Sequence, residues 1–202
     1  STDEWSTWLE HVAETMMAAL EDSNFRVEIG QGITGMVAFG TCGISIEGTS
    51  DDLVFEKLVF KDHQLNTFVF DEGYDGSVDR IYREIKLSPE AAKLRYRNEE
   101  SAGAMAMLED IQTMIDKDQS EDVLFIEAIE PAYLFEDPEE DGGVPSWTHK
   151  STLVYKKLEV TVREREFNEK PMSVSRWDKI TGDRWGWSPA LSAMPDIITI
   201  NE

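Results

Sequence analysis

Basic residues, cysteine and histidine are all scarce in this sequence of 202 residues. Nineteen lysines and arginines face 41 aspartates and glutamates, for a formal net charge of −22. Adhesion to DNA phosphate or to an anionic membrane surface needs a basic footprint, so the balance opposes both. Cys42 is the only cysteine, which excludes an internal disulfide, a zinc ribbon and a dithiol redox site, and fits a reducing compartment. His11, His63 and His149 lie far apart in the chain, and none has the spacing of a zinc site, so each is expected to be structural or solvated. No G-x-x-x-x-G-K-[ST] loop and no G-x-S-x-G elbow occurs, and Gly30-Gln31-Gly32 lacks the strand–turn–helix context of a dinucleotide fingerprint. The start Ser1-Thr2-Asp3-Glu4 has no basic region followed by an apolar one, and reads as a processed or trimmed N-terminus. Long apolar runs are missing as well. The uncharged stretch Ile29 to Ile46 includes Gly30, Gly32, Gly35, Gly40 and Gly43, too polar and flexible for an isolated spanning helix, and is expected to be buried in protein. No cofactor, metal or membrane partner is expected.

What is present suffices for folding. An apolar fraction of 41% in a chain of this length supports one ordinary domain or two small ones. Trp5, Trp8, Leu9, Val12, Met16 and Leu20 recur at helical spacing from Asp3 to Leu20, with Glu4, Glu10, Glu14 and Glu21 on other faces; this predicts an amphipathic helix closed by Asp22-Ser23-Asn24. A second, glycine-weakened helix is expected from Phe25 to Phe39, ended by Gly40-Thr41-Cys42-Gly43. Strands follow at Ile44–Ile46, Leu53–Phe60, Asn66–Asp71 and Ser77–Leu87; helical spacing of Val78, Ile81, Tyr82 and Ile85 competes in the last of these, but its β-branched content and the preceding turn favour strand. Ser88-Pro89-Glu90 is a helix start, with helices expected over Pro89–Arg97 and Ala102–Lys117. Strands are expected at Val123–Ala132, Ser151–Tyr155 and Leu158–Phe167, and the acidic run Glu136 to Gly143 reads as an exposed loop. The class is therefore α+β: N-terminal helices over residues 1–42, then antiparallel sheet with inserted helices over 43–170, then an irregular Trp-rich connector over 171–202. The whole is expected to form a single body.

The connector holds three of the six tryptophans. Met172 to Val174 delivers Arg176-Trp177, after which Gly182, Gly186, Pro189 and Pro195 interrupt the backbone, so no long helix or strand is expected there. Such a segment must be held by large side chains, and Trp177, Trp185 and Trp187 can each bury roughly 150–250 Å². They suit core packing or a subunit interface better than a sugar-stacking platform. Carboxylate pairs such as Glu127/Glu130 and Asp51/Asp52 could form acid/base couples, but among 41 acids close pairs arise by chance.

This closing stretch resembles the head-to-tail connecting (portal) proteins of short-tailed bacteriophages. The resemblance rests on Arg176, Trp177, Gly182, Gly186, Ser188, Pro189, Ala190, Pro195, Asp196 and Asn201, with Trp185 standing where that family usually has Tyr and Trp187 where it often has Arg. Ser23-Asn24-Phe25, Phe39-Gly40-Thr41 and Arg83-Glu84 fall in the family's order. The resemblance implies a structural protein of the virion rather than an enzyme. It would form a ring, usually of twelve subunits, at one capsid vertex, assembled in the host cytoplasm, through which DNA is packaged and ejected without sequence-specific binding. Its partners would be its own copies, the major capsid protein, the terminase and tail adaptor proteins. The chain would correspond to the outer wing, its connector leading towards a stem helix beyond this sequence. Lys156, Lys157, Arg163 and Arg165 are the basic residues expected to meet acidic neighbours across subunits. Two other readings compete: a carboxylate-based glycoside hydrolase with the tryptophans lining its cleft, and an acidic DNA mimic or adaptor occupying a basic groove.

Overall fold

The computed structural model describes residues 2–51, 54–135 and 147–201. Among the described residues, five α-helices and two antiparallel sheets of three and five strands make an α+β protein, as the sequence indicates. The chain divides into two compact units, Ser1–Leu65 with Pro171–Glu202 and Asn66–Lys170. The first unit thus joins both ends of the chain.

In that unit, α1 (Thr2–Glu21) and α2 (Phe25–Phe39) precede β1 (Thr41–Asp51) and β2 (Val54–His63), and β8 (Met172–Arg176) returns to pair with β1, giving the order β2-β1-β8. Helix α2 packs on β1 and β2. The Phe25 ring meets Phe60 edge-on at 5.0 Å, and Phe60, Cys42, Thr41, Ser45 and Met172 are buried. Packing therefore carries α2 in spite of its glycines. The start of α2 also covers one end of the sheet edge. The Asn24 amide donates to the Phe60 carbonyl (2.7 Å) and accepts from the Phe60 N–H (2.8 Å), and Glu28 accepts from the Asp62 N–H at 2.7 Å. At Phe60 and Asp62 two side chains thus take hydrogen bonds that a further strand would make, which protects that end of β2 from pairing with another chain. Ser45 and His63 share a 2.8 Å hydrogen bond, so His63 has the structural role expected of it.

The second unit is a five-stranded meander, β3 (Phe68–Glu72), β4 (Val78–Leu87), β5 (Val123–Pro131), β6 (His149–Tyr155) and β7 (Val160–Phe167), with α3 (Pro89–Tyr96) and α4 (Ala102–Asp116) inserted between β4 and β5. Ser88 and Ser101 cap the two helices, their hydroxyls accepting from the N–H groups of Ala91 and Ala104, and Pro89 occupies the first turn. The region from Val78 to Leu87 is a strand, as its β-branched content suggests. The acidic stretch Glu136 to Gly143 lies outside the described residues, as does Asp52 of the Asp51/Asp52 pair.

One face of this sheet has two parts. Phe125, Leu153, Tyr155 and Val162 pack against Tyr96, Met107 and Ile111 of the helix pair. Beside them sits a charged row: Arg83 donates to Glu127, Ser151 Oγ donates to Glu127 at 2.6 Å, and Arg163 lies 3.7 Å from the same carboxylate. Burial raises the pKa of the Glu127 carboxyl, but the Arg83 guanidinium, the Ser151 hydroxyl and Arg163 outweigh it and leave the pKa below its ordinary value. Glu130 lies three positions on, an odd interval that puts it on the opposite face of β5, where it accepts from Tyr82 Oη at 2.6 Å. Glu127 and Glu130 therefore do not form an acid/base couple.

Removing one partner of a buried ion cluster leaves the others uncompensated. Glu127→Gln is expected to lower stability by about 3–5 kcal/mol in urea denaturation. A carboxyl whose folded pKa lies below its unfolded value stabilises above roughly pH 4.3 and loses that contribution as pH falls through the folded pKa. Acid unfolding of the natural chain should steepen below that point, and the variant should lack this component; equal acid sensitivity in both would exclude Glu127 as its source.

Candidate assembly surface

Two sequence segments named for the resemblance, Phe39-Gly40-Thr41 and the connector, meet at one point of the first unit. Helix α2 ends at Gly40, whose φ of 84° is left-handed and whose N–H donates to the Met36 carbonyl at 2.8 Å. The chain then enters β1, with Thr41 opposite Arg176 of β8. The Trp177 N–H donates to the Gly40 carbonyl (2.9 Å) and the Gly186 N–H to Thr41 Oγ1 (2.8 Å). The backbones of Gly40 and Gly186 are in contact: a Cβ on Gly186 would lie 1.9 Å from the Gly40 oxygen, and one on Gly40 would lie 2.2 Å from the Gly186 oxygen. Neither position can hold a side chain without moving the backbone.

Between these anchors, residues 177–187 form a loop closed at its base by the Trp187 N–H donating to the Asp178 carbonyl at 2.8 Å. Gly182, with φ 94°, makes the turn at its tip, and Arg176 Nη1 donates to the Arg184 carbonyl at 3.1 Å. The loop was expected to be pinned by buried tryptophans. Instead its ends are held by backbone contacts, and Trp177, Trp185 and Trp187 are 53%, 41% and 41% exposed. Ile180 is exposed beside them. Trp187 Nε1 donates to Ser192 Oγ at 2.8 Å, which fixes that ring.

The connector also contains regular structure, which corrects the expectation of an irregular segment throughout. After β8 and the loop, α5 runs from Pro189 to Asn201. Buried Ser188 caps it, its Oγ accepting from the Leu191 N–H at 2.9 Å, and Pro189 sits at the first helical position, where its missing N–H costs nothing. The same Ser-Pro signature announces α3. Pro195 lies inside the helix, and the helix continues past it with Thr199 Oγ1 bonded to the Pro195 carbonyl at 2.9 Å. Asp196 is exposed, and Asn201 is the last residue of α5.

The four basic residues expected to make subunit contacts lie in the second unit. Lys157 Nζ donates to both oxygens of Asp110, at 2.7 and 2.8 Å. Arg163 is nearly buried, 3.7 Å from both Glu99 and Glu127, with its guanidinium over the Tyr96 ring, and Arg165 is 3.5 Å from Glu99. These three charges are engaged within their own chain. Lys156 is exposed in the turn after β6.

The glycine clasp presents half-exposed indoles on a chain whose exposed helices also carry large apolar side chains. The family model described as bacteriophage head to tail connecting protein matches residues 1–202, the whole of the sequence, and the chain belongs to that family. A head-to-tail connector is a structural virion component that assembles with capsid and tail proteins. A comparison with curated proteins returns no match. No helix among the described residues is long and apolar enough to cross a membrane.

Three substitutions separate the roles of the clasp. Gly186→Ala forces backbone apart and should destabilise the first unit by about 1–3 kcal/mol or more. Gly182→Ala meets nothing within 4 Å and should cost only the left-handed backbone, about 1–2 kcal/mol. Ser188→Ala removes a cap, at about 1 kcal/mol. Chemical denaturation followed by tryptophan fluorescence gives the order, and a Gly186→Ala effect no larger than that of Gly182→Ala would show that the clasp yields.

Proposed function

We propose that this chain forms the outer body of a portal ring at one capsid vertex, through which DNA is packaged and later ejected. The observation that carries this reading is the indole rim at 177–187, half exposed on a fixed backbone clasp. Several large apolar side chains exposed on one short, fixed loop mark a docking site, and Trp is among the residues that dominate interface energies. In this reading the surface docks on copies of the same chain, usually twelve, and on capsid protein, a role in keeping with a head-to-tail connector. Helix α5 starts where the resemblance places the approach to the stem, so the clasp would set the direction in which that element leaves the body. Terminase and tail adaptors would meet the ring in succession, before and after filling.

The acidity fits this role. Each phosphate neutralised by a bound protein cation adds salt-dependent affinity, and a net charge of −22 disfavours such contacts, leaving DNA free to slide. Light scattering and negative-stain imaging of the protein in solution test the proposal. A species of ring mass with a central opening is expected, more abundant at moderate than at low salt because screening relieves repulsion between acidic subunits. A monomer at every salt concentration, with no rings in the images, would overturn it.

A further inference from the structure

The first unit carries a second apolar surface that its own fold leaves uncovered. Along α1 all residues from Glu4 to Ala18 except Val12 are exposed, including Trp5 at 67% and Trp8 at 56%, with Leu9 and Met16 on the same stripe. The Trp5 and Trp8 rings meet edge-on at 6.2 Å, which stiffens the stripe. An amphipathic helix draws most of its stability from what covers its apolar face. The stripe therefore needs an occupant.

Charge selects which. Helix α1 carries Glu4, Glu10, Glu14 and Glu21 and no lysine or arginine, so two copies of α1 packed together would set acid against acid. Its complement is an apolar surface bearing cations, which are rare in this chain. Three of the 19 basic residues, Arg176, Lys179 and Arg184, fall in the short stretch that also presents Trp177, Ile180 and Trp185; with Asp178 and Asp183 among them the stretch is net positive by one in a chain of net charge −22. We propose that α1 of one copy docks on the indole rim of the next, its tryptophans and Leu9 against the rim's aromatic surface and its glutamates beside Lys179 and Arg184. The two patches differ, so the contact is head-to-tail, the type that closes into a ring when the rotation between copies permits. This inference rests on the ring reading and specifies the contact that builds it.

The test uses charge reversal with rescue, followed by cross-linking. Glu10→Lys with Glu14→Lys, and separately Lys179→Glu with Arg184→Glu, should each raise the concentration for half-assembly by about tenfold or more in light scattering, and an equimolar rescue chain carrying all four changes should return to within a few fold of the natural value. Circular dichroism of each variant checks that α1 and the body remain folded. In a mixture of Leu9→Cys and Ile180→Cys chains, mild oxidation should give a disulfide-linked dimer, since Cys42 is buried. Rings that form unaffected by either reversal, or that give no mixed dimer, would overturn this contact and leave the ring reading standing. Natural chains that form no ring would overturn both.

Discussion

The contact between the backbones of Gly40 and Gly186 is the constraint on which the first unit depends. It brings the end of α2 against a loop that follows the whole of the second unit in sequence, and the hydrogen bond from Gly186 to Thr41 spans 145 positions. Closing so long a loop costs entropy, and the return comes from several bonds made together: β8 along β1, Trp177 onto Gly40, and Gly186 onto Thr41. Because the two glycines meet backbone to backbone, the spacing of loop and strand is set by hard contact rather than by side chains that can change rotamer. The indoles are then free to face outward. An interface anchored on a fixed backbone loses little entropy when it docks.

The second unit disposes of its charges differently. Arg83 and Arg163 converge on Glu127, Arg163 and Arg165 on Glu99, Lys157 on Asp110 and Lys150 on Glu164. A buried cluster of this kind contributes little net stability, since desolvation offsets attraction, but it penalises any strand register that leaves one member unpaired. A one-residue slip of β5 would carry Glu127 to the other face, away from all three of its partners. The same pairings use up cations that could otherwise have met another subunit.

That use of charge explains where sequence reasoning succeeded and where it did not. Strands β5, β6 and β7 show their alternation plainly, and Ser88-Pro89 marks a helix start that the structure confirms. At 188–189 the same Ser-Pro pair sits among Gly182, Gly186, Pro189 and Pro195, which together suggest an interrupted backbone; interior Pro195 costs an intrahelical hydrogen bond and crowds the preceding turn, yet α5 runs through it to Asn201. The partners of Lys157, Arg163 and Arg165 could not be read from the sequence, because Asp110 and Glu99 reach them only through the packing of α3 and α4 on the sheet. The role of Asn24 was hidden for a similar reason: its partner is the edge of β2, 36 positions away. For Trp177 and Trp185 the sequence leaves core packing and a subunit interface both open, and nothing local reveals that two distant glycines hold the backbone while the indoles face outward.

Acidity and aromatic exposure then follow from one requirement. A chain of net charge −22 meets its own copies against a Coulomb repulsion that grows as salt is removed, so association must draw on apolar area and on the few places where cations reach the surface. Asn24 and Glu28 occupy backbone groups of Phe60 and Asp62 on the outer edge of β2, which disfavours strand-to-strand pairing at that end. The α1 stripe and the rim at 177–187 offer side-chain surfaces of defined shape instead. The α1 stripe, acidic and without lysine or arginine, repels its own kind, while the rim offers Lys179 and Arg184 to it, and a contact between two different patches favours a directional assembly over a symmetric pair.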